Sequence, residues 1–201
     1  MRFMIAAVML VVATTLGARA EDKTSMKYDL GVENPKWKFV AGQWGRRASG
    51  GRQVLAQTSE TQPWAVAILE DQKFSDVDVS VRFRPISGNE DASGGIIFRA
   101  KDGRNYFLVR ANALENNFRL YTLVNGKRST IASARVTEPS LGAWHSIRVV
   151  ALGPKIRAYL NGTLFLDHSD KTFADGWLGL WTKADSVTEF ADLEVAGTVV
   201  K

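Results

Sequence analysis

Six polar side chains within residues 93–133 are the strongest candidates for recognition chemistry in this chain. They are three arginines, two tyrosines and one asparagine: Arg99, Tyr106, Arg110, Asn112, Arg119 and Tyr121. Arginine and asparagine present hydrogen-bond donors in a fixed geometry, and tyrosine combines an apolar ring with a hydroxyl group. Such a set suits a ligand rich in hydroxyl or acidic groups. The alternative is a solvated outer face on which the arginine stems cover apolar neighbours.

The carboxylates make a weaker case for hydrolysis. Glycoside cleavage needs two carboxyl groups about 5 to 10 Å apart, so both must point into one cleft. Glu189 and Asp192 are three positions apart and fall on opposite faces of a strand unless a bulge intervenes, whereas Asp192 and Glu194 share a face. Asp76 and Asp78 also share a face. We interpret both groups as surface acids and predict no catalytic residues.

Histidine and metal chemistry find little support in the sequence. His145 lies in an apolar strand and is predicted to be buried with a backbone partner. His168 stands among adjacent serine and aspartate residues, but the members of a catalytic triad converge from separate segments. Oxygen-rich loops at 89–91 and 167–170 would suit calcium, although turn chemistry explains the same residues. We predict no cofactor and no metal ligand, with calcium as the alternative.

The candidate recognition residues lie on consecutive antiparallel strands. Asp102-Gly103 and Asn125-Gly126 are dipeptides typical of two-residue primed turns, in which both central residues have positive φ. Counting outward from Asp102-Gly103 places Phe98 opposite Phe107, Gly95 opposite Arg110 and Arg99 opposite Tyr106. Because side chains alternate across a strand, one face is apolar and the other carries the arginines and tyrosines. The apolar face comprises Ile96, Phe98, Phe107, Val109, Phe118, Leu120 and Ile131.

Short segments with strand patterns occupy most of the chain. Residues 74–83 alternate between apolar and polar side chains, and residues 64–70 are apolar on both faces, as in a central strand. Residues 44–47 and 49–51 are predicted to form a loop, and a further hairpin is expected at Asn161-Gly162. With about a dozen short strands and no helical period, the pattern predicts an all-β fold, an antiparallel two-sheet sandwich.

The N-terminus has the features of an export signal. Arg2 precedes an apolar run over residues 3–16, and Ala18-Arg19-Ala20 has the small-x-small form of a cleavage site. We predict a signal peptide at 1–20, a flexible lead at 21–36 and one domain at 37–197. The run is shorter than the roughly 18 residues of a membrane span, so no stable membrane insertion is expected after cleavage. A periplasmic or secreted location follows, with an uncleaved anchor as the alternative.

Composition narrows the chemistry further. The absence of cysteine excludes disulfides, thiolate metal sites and thiol catalysis. The net charge is +5, and removing two arginines with the predicted signal peptide leaves +3. So mild an excess, with no basic run, argues against nucleic acid as a partner.

Several short motifs resemble the concanavalin A-like jelly-roll superfamily. They are SGGIIFR at 93–99, NYF at 105–107, GAWH at 142–145, YLNG at 159–162, GLW at 179–181 and FADL at 190–193. The chain is most similar to laminin G-like domains and to bacterial 3-keto-disaccharide hydrolase-like domains, which are glycoside hydrolase family 16-like. The resemblance covers about residues 37–195 and implies a jelly roll of two curved sheets, one face of which commonly receives a saccharide.

Together these observations predict an exported, monomeric carbohydrate-binding protein whose partner is a glycan or cell-envelope polysaccharide. The resemblance leaves open a glycoside hydrolase of the 3-keto-disaccharide type, for which the sequence offers no carboxylate pair. A second alternative is a structural or adhesion module that binds another protein. Sugar release over time distinguishes the enzyme from a binder. The double variant Arg99→Ala, Arg110→Ala is expected to leave glycan retention unaltered only if the protein is such a module.

Overall fold

A computed structural model describes residues 23–33, 36–137 and 139–200 of the chain. The described residues form fourteen strands and no helix, so the predicted all-β class is confirmed. The strands are β1 (Lys23–Tyr28), β2 (Trp37–Ala41), β3 (Trp44–Ser49), β4 (Arg52–Gln57), β5 (Thr61–Ser87), β6 (Ser93–Asp102), β7 (Asn105–Asn112), β8 (Asn117–Val124), β9 (Lys127–Arg135), β10 (His145–Leu152), β11 (Lys155–Leu160), β12 (Thr163–Ser169), β13 (Gly176–Ala184) and β14 (Val187–Val200).

The strands pair antiparallel in two layers that share the long strand β5. Its first part pairs with β2 and β13, and the order β2-β5-β13-β6-β7-β8-β9 makes up the front sheet. Its second part pairs with β10 and β14, and the order β12-β11-β10-β5-β14 makes up the back sheet. At the edge of the back sheet, β14 also pairs with β1 and β4, and β3 pairs with β4. The fold is the predicted antiparallel jelly-roll sandwich.

The main core lies between the two sheets. Val79 and Phe83 of β5 are completely buried, as the alternation of residues 74–83 predicted. They belong to the same buried cluster as Phe98 and Phe107 of the front sheet, whose rings stack at 5.2 Å. Fully burying one such side chain contributes about 1.5–3 kcal/mol, so this inner face holds the sheets together.

Two of the three predicted turns have the expected geometry. Asn125 and Gly126 have φ of 54° and 82°, and Asn161-Gly162 is similar, so both are primed turns. The prediction for Asp102-Gly103 is wrong by one residue, because Asp102 pairs with Asn105 and the turn consists of residues 103–104. The Asp102 carboxylate fixes this turn by accepting hydrogen bonds from the Arg104 N–H at 2.7 Å and from the Asn105 amide at 3.0 Å.

The N-terminal part of the fold is more regular than the sequence suggested. Lys23–Tyr28 forms β1 on β14, so the predicted flexible lead over 21–36 is wrong for these residues. Trp44–Ser49, part of the predicted loop, forms β3. Both are edge strands that expose many side chains, and edge strands carry little of the apolar alternation from which a strand is predicted. The predicted signal peptide at 1–20 lies outside the described residues, among which no helix is long and apolar enough to cross a membrane.

Candidate functional site

The outer face of the front sheet is strongly concave. Arg128 lies on β9 and Trp64 on β5, with four strands between them. Neighbouring strands are about 4.8 Å apart, so a flat sheet would separate these residues by about 24 Å. The Arg128 guanidinium nevertheless lies 5.3 Å from the centre of the Trp64 ring. The sheet therefore curves until side chains from its opposite sides meet.

Apolar and aromatic side chains fill the centre of this concavity. A second buried cluster occupies the outer face, separate from the core between the sheets. It consists of Val66, Ile68, Ile97, Ala100, Tyr106, Leu108, Tyr121, Leu123 and Trp181, with Trp64 and Trp177 packed against it. Arg128 lies over this cluster, 4.7 Å from the Tyr121 ring and 5.9 Å from the Trp181 ring, which favours a cation–π contact. The middle of the face is therefore closed by its own side chains.

Beside the filled centre lies a polar group that we call the Arg110 cluster: Arg110, Glu115, Asn117, Arg119 and Tyr121. Arg110 is only 1% exposed, and its guanidinium donates to three partners. One nitrogen donates to Asn117 Oδ1 at 2.8 Å, and the other donates to Glu115 Oε2 at 2.8 Å and to the Tyr121 hydroxyl at 3.1 Å. A buried guanidinium with this many acceptors is held in one orientation.

Local sequence explains why the cluster forms at this place. Gly95 lies opposite Arg110, and a Cβ at residue 95 would come within 2.9 Å of Arg110 Cβ and 2.8 Å of Leu108 Cδ1. Only glycine leaves room there for the arginine stem. In the turn between β7 and β8, Asn112 Oδ1 accepts from the Leu114 N–H at 2.8 Å and the Glu115 N–H at 3.3 Å. This side-chain cap places the Glu115 carboxylate over Arg110.

The cluster has an exposed layer above its buried one. The Glu115 and Arg119 side chains are 38% and 35% exposed, and Arg119 Nη1 lies 3.6 Å from Glu115 Oε2. On β13, the partly exposed Lys183 ammonium lies 3.4 Å from Asp91 Oδ2. Lys183 shares the outer face with Trp181, two residues away. Asp91 is completely buried, so the exposed layer of the cluster consists of the Glu115 carboxylate and the Arg119 guanidinium.

The Glu115 carboxyl group stays ionised far below neutral pH. Burial alone would raise its pKa, but hydrogen bonds from Arg110 and Asn117 and the charges of Arg110 and Arg119 lower the pKa from 4.5 to about 2. Because the folded pKa is the lower one, the ionised group stabilises the fold above pH 4.5, and this stabilisation is lost between pH 4.5 and about 2. We expect the urea midpoint of the native protein to fall more steeply in that window than the midpoint of Glu115→Gln. Parallel pH profiles for the two proteins would contradict this assignment.

Buried polar atoms without a hydrogen bond concentrate on the same face. Among the described residues nine such side-chain atoms occur. By strand position, six belong to the outer face of the front sheet: Ser93 Oγ, Tyr106 Oη, Arg110 Nε, Asn112 Nδ2, Arg128 Nη1 and Trp181 Nε1. These atoms lie in the interior of the face, out of reach of a ligand, and the Tyr106 hydroxyl and Trp181 Nε1 are within hydrogen-bonding reach of each other. Burial raises the pKa of Tyr106, so its phenol keeps its proton.

Five of the six predicted recognition residues lie on this face. Arg110, Arg119 and Tyr121 belong to the cluster, whereas Tyr106 and Asn112 are fully buried elsewhere on the same face. The prediction that Arg99 joins them is wrong. A register shift follows Phe98, and Arg99 adopts a φ of 51° and directs its side chain toward the other end of the sandwich.

Sequence reasoning missed several members of the face. Glu115 and Asn117 are the most important of them, because their carboxylate and amide oxygens fix Arg110. The sequence feature that could have identified Glu115 is its position in a short turn between two strands of the candidate face. Trp64 and Lys183 were missed because only the curvature brings distant strands of the sheet together. Counting from Asn125-Gly126 places Arg128 on this face, but it was not predicted to be a recognition residue.

The residues considered for catalysis are engaged elsewhere. His145 is buried, as predicted, and its Nε2 accepts from the Ser140 N–H at 3.1 Å, while Nδ1 contacts the Asn161 amide at 3.0 Å. Glu189 is 1% exposed and bound to arginines, so the prediction of a surface acid is wrong for this residue. Asp192 lies at a bulge with φ of 53° and pairs with arginines on the back sheet. The described residues include no group of three or more histidine, aspartate or glutamate side chains able to hold a metal ion.

The chain is similar to carbohydrate-active proteins of Bacillus. A levanase of Bacillus subtilis is 25% identical over 148 residues, which are 72% of this chain but only 20% of the levanase, so the chain spans about a fifth of that relative. Among solved structures, the carbohydrate binding module CBM66 from Bacillus subtilis superposes with a TM-score of 0.70 at 23% identity, covering 79% of this chain and 93% of the module.

A solved structure of lower sequence identity shares the fold, and a family model matches most of the chain. A β-glucanase of Bacillus licheniformis superposes with a TM-score of 0.58 at 12% identity, covering 87% of this chain and 98% of the enzyme. These structures have the concanavalin A-like jelly roll that the sequence motifs indicated. The family model of the 3-keto-alpha-glucoside-1,2-lyase-like domain matches residues 29–196. The chain therefore belongs to the family of 3-keto-alpha-glucoside-1,2-lyase-like domains.

Proposed function

We propose that this chain is a carbohydrate-binding protein and that glycan hydroxyl groups bind at the Arg110 cluster. The observation that carries the proposal is the two-layer arrangement of the cluster. The buried Arg110 and Asn117 donate to the exposed Glu115 carboxylate, and Arg119 Nη1 lies 3.6 Å from the same carboxylate oxygen. The partner is a glycan or cell-envelope polysaccharide outside the cytoplasm. The protein binds it as a monomer and without calcium.

The chemistry of the exposed layer suits sugars. A sugar hydroxyl both donates and accepts, so it pairs well with a carboxylate on one side and a guanidinium or ammonium group on the other. Glu115 supplies the acceptor, and Arg119 supplies the donor. Because the buried layer already fixes Glu115, little side-chain freedom is lost when a ligand binds, which raises affinity.

Binding is favoured over cleavage at this site. A general acid must carry a proton near the working pH, and a general base must be able to take one up. The pKa of Glu115, about 2, makes its carboxyl group both a poor proton donor and a weak base. Similarity to a levanase and to a carbohydrate binding module supports a carbohydrate ligand. Levan is therefore the first polysaccharide to test.

Arg119→Ala is the variant that tests the proposal. It removes an exposed donor of the cluster but leaves Arg110 with its three partners. A hydrogen bond to a charged group contributes about 1.5–3 kcal/mol, so we expect affinity for the recognised glycan to fall about tenfold or more. Affinity electrophoresis in gels containing levan or cell-envelope polysaccharides, with and without a chelator, followed by calorimetry on the glycan that retards the protein, gives the measurement.

The matched control is Arg148→Ala, which removes an arginine of the back sheet from an exposed pair with Asp78. It is expected to leave glycan affinity unchanged. The proposal fails if the native protein binds none of the glycans, or if Arg119→Ala binds as tightly as Arg148→Ala. Release of sugars during the incubation would instead assign the chain to the cleaving enzymes.

A further inference from the structure

A separate cleft lies around Arg99, at the end of the sandwich away from the Arg110 cluster. It has a volume of about 470 Å³, within the range of small-molecule sites, which is about 300–1,000 Å³. It is formed where the bend in β5 meets the turn between β10 and β11 and the segment after β12. The lining residues are Ser75, Asp76, Arg99, Gly153, Pro154, Asp170, Lys171, Phe173 and Ala174.

Arg99 is held in this cleft by an unusual backbone conformation. Its φ of 51° is in the left-handed region, which non-glycine residues rarely adopt. The side chain is 2% exposed, and it donates from Nε to the Ser75 carbonyl at 3.0 Å and from Nη1 to the Phe173 carbonyl at 3.2 Å. Nη2 lies 3.7 Å from Asp76 Oδ1, too far for a hydrogen bond. One donor group of a buried, fixed guanidinium therefore still lacks a close acceptor.

Two carboxylates of the cleft retain acceptor capacity. Asp76 Oδ1 accepts from the Gly153 N–H at 2.7 Å, and Asp170 Oδ1 accepts from the Thr172 N–H at 2.7 Å. Within the described part of the chain, the second oxygen of each carboxylate accepts no hydrogen bond. The backbone contacts orient both carboxylates, so two acceptors and one donor line a single cleft.

The balance of charges selects the class of ligand. Arg99 and Lys171 are cationic, and Asp76 and Asp170 are anionic, so neither an anion nor a cation gains from the net charge of the cleft. A ligand with neighbouring hydroxyl groups can donate to the carboxylates and accept from the guanidinium. Phe173 adds an apolar surface for the C–H face of a sugar ring.

We propose that the Arg99 cleft is a second carbohydrate-binding site, which takes one neutral sugar unit through its vicinal hydroxyl groups. It is independent of the Arg110 cluster, because Arg99 and Arg110 leave the front sheet in different directions. Two sites on one chain allow two glycan segments to be held at once, and the second binding event then benefits from a high local concentration.

Nuclear magnetic resonance separates the two sites in one experiment. The ¹⁵N-labelled protein is titrated with sucrose, trehalose, maltose and cellobiose, and the backbone amide signals are followed. We expect at least one of these sugars to cause saturable shifts at Gly153, Thr172 and Ala174. Asp170→Asn keeps the oxygen that accepts from Thr172 but removes the charge. The apparent affinity derived from these shifts is expected to fall about tenfold. Asp167→Asn, outside the cleft, is the matched control.

The same spectra contain the result that would overturn the proposal. Shifts confined to residues 115–121, or no saturable shift at Gly153 and Ala174 with any of the four sugars, exclude the second site. Equal affinities of Asp170→Asn and Asp167→Asn exclude it as well. Arg119→Ala is expected to lose the shifts near the Arg110 cluster and to keep those near Arg99, so failure of one site is distinguished from failure of the other.

Discussion

Replacing Arg110 by methionine is expected to lower the free energy of unfolding by about 3 kcal/mol and to abolish glycan binding. Methionine fills much of the space of the arginine stem but leaves Glu115, Asn117 and Tyr121 without their shared donor. Asn117 and Tyr121 are buried and would carry the cost of their lost hydration, whereas the exposed Glu115 carboxylate contributes less. Urea unfolding, followed by tryptophan fluorescence, measures the stability.

A second substitution separates the cost of the unpaired carboxylate from the loss of packing. Glu115→Gln, added to Arg110→Met, removes the unbalanced charge, and we expect it to restore about 1 kcal/mol. The control Arg148→Met breaks an exposed pair with Asp78 on the back sheet, for which at most about 1 kcal/mol is expected. If Arg110→Met and Arg148→Met destabilise the protein equally, the Arg110 cluster does not organise the site.

The sequence was sufficient to place most of this cluster on one face. Alternation along a strand is a geometric necessity, and the apolar residues of β6, β7 and β8 identify the inner face. The register from Phe98 opposite Phe107 to Gly95 opposite Arg110 was predicted and is confirmed. That prediction succeeded although the turn itself was misplaced, because the irregular segment after Phe98 absorbs the difference.

The same irregular segment explains why Arg99 was misassigned. Parity holds only while the ladder is continuous, and a bulge reverses or rotates the residues that follow it. Nothing in the residues before Asp102 signals that its carboxylate fixes a turn one residue further along. The proposed double variant Arg99→Ala, Arg110→Ala therefore perturbs two places in the fold, and the single variants at Arg110 and Arg119 replace it as tests of one surface.

Curvature is the second property that the sequence did not reveal. It depends on the twist and coiling of seven paired strands, and no short stretch of residues encodes it alone. Without it, Arg128 and Trp64 are distant residues on different strands. With it, they close the centre of the concave face and leave the Arg110 cluster as its accessible polar part. Glu115 was missed for a related reason, since an acid in a turn is usually a solvated side chain.

On the back sheet, Glu189→Ala is expected to lower the free energy of unfolding by about 3 kcal/mol. The sequence suggested a surface acid, for which a change within about 0.5 kcal/mol is typical. In the structure the carboxylate is buried and accepts from Arg84 Nε at 2.9 Å and from the Ser49 hydroxyl at 2.8 Å, with Arg47 Nε at 3.3 Å. Alanine would leave the mostly buried Arg84 guanidinium without a counter-charge, and this uncompensated charge is the main cost.

The control for this prediction lies three residues further along the same strand. Asp192 pairs with Arg52 and Arg82 but is 36% exposed, so Asp192→Ala is expected to cost no more than about 1 kcal/mol. Urea midpoints of the two variants and the native protein, measured at one pH, give the comparison. Glycan affinity is expected to be unchanged in both variants, because neither residue lies on the front sheet. If the two substitutions destabilise the protein equally, burial of the carboxylate does not determine its contribution to the fold.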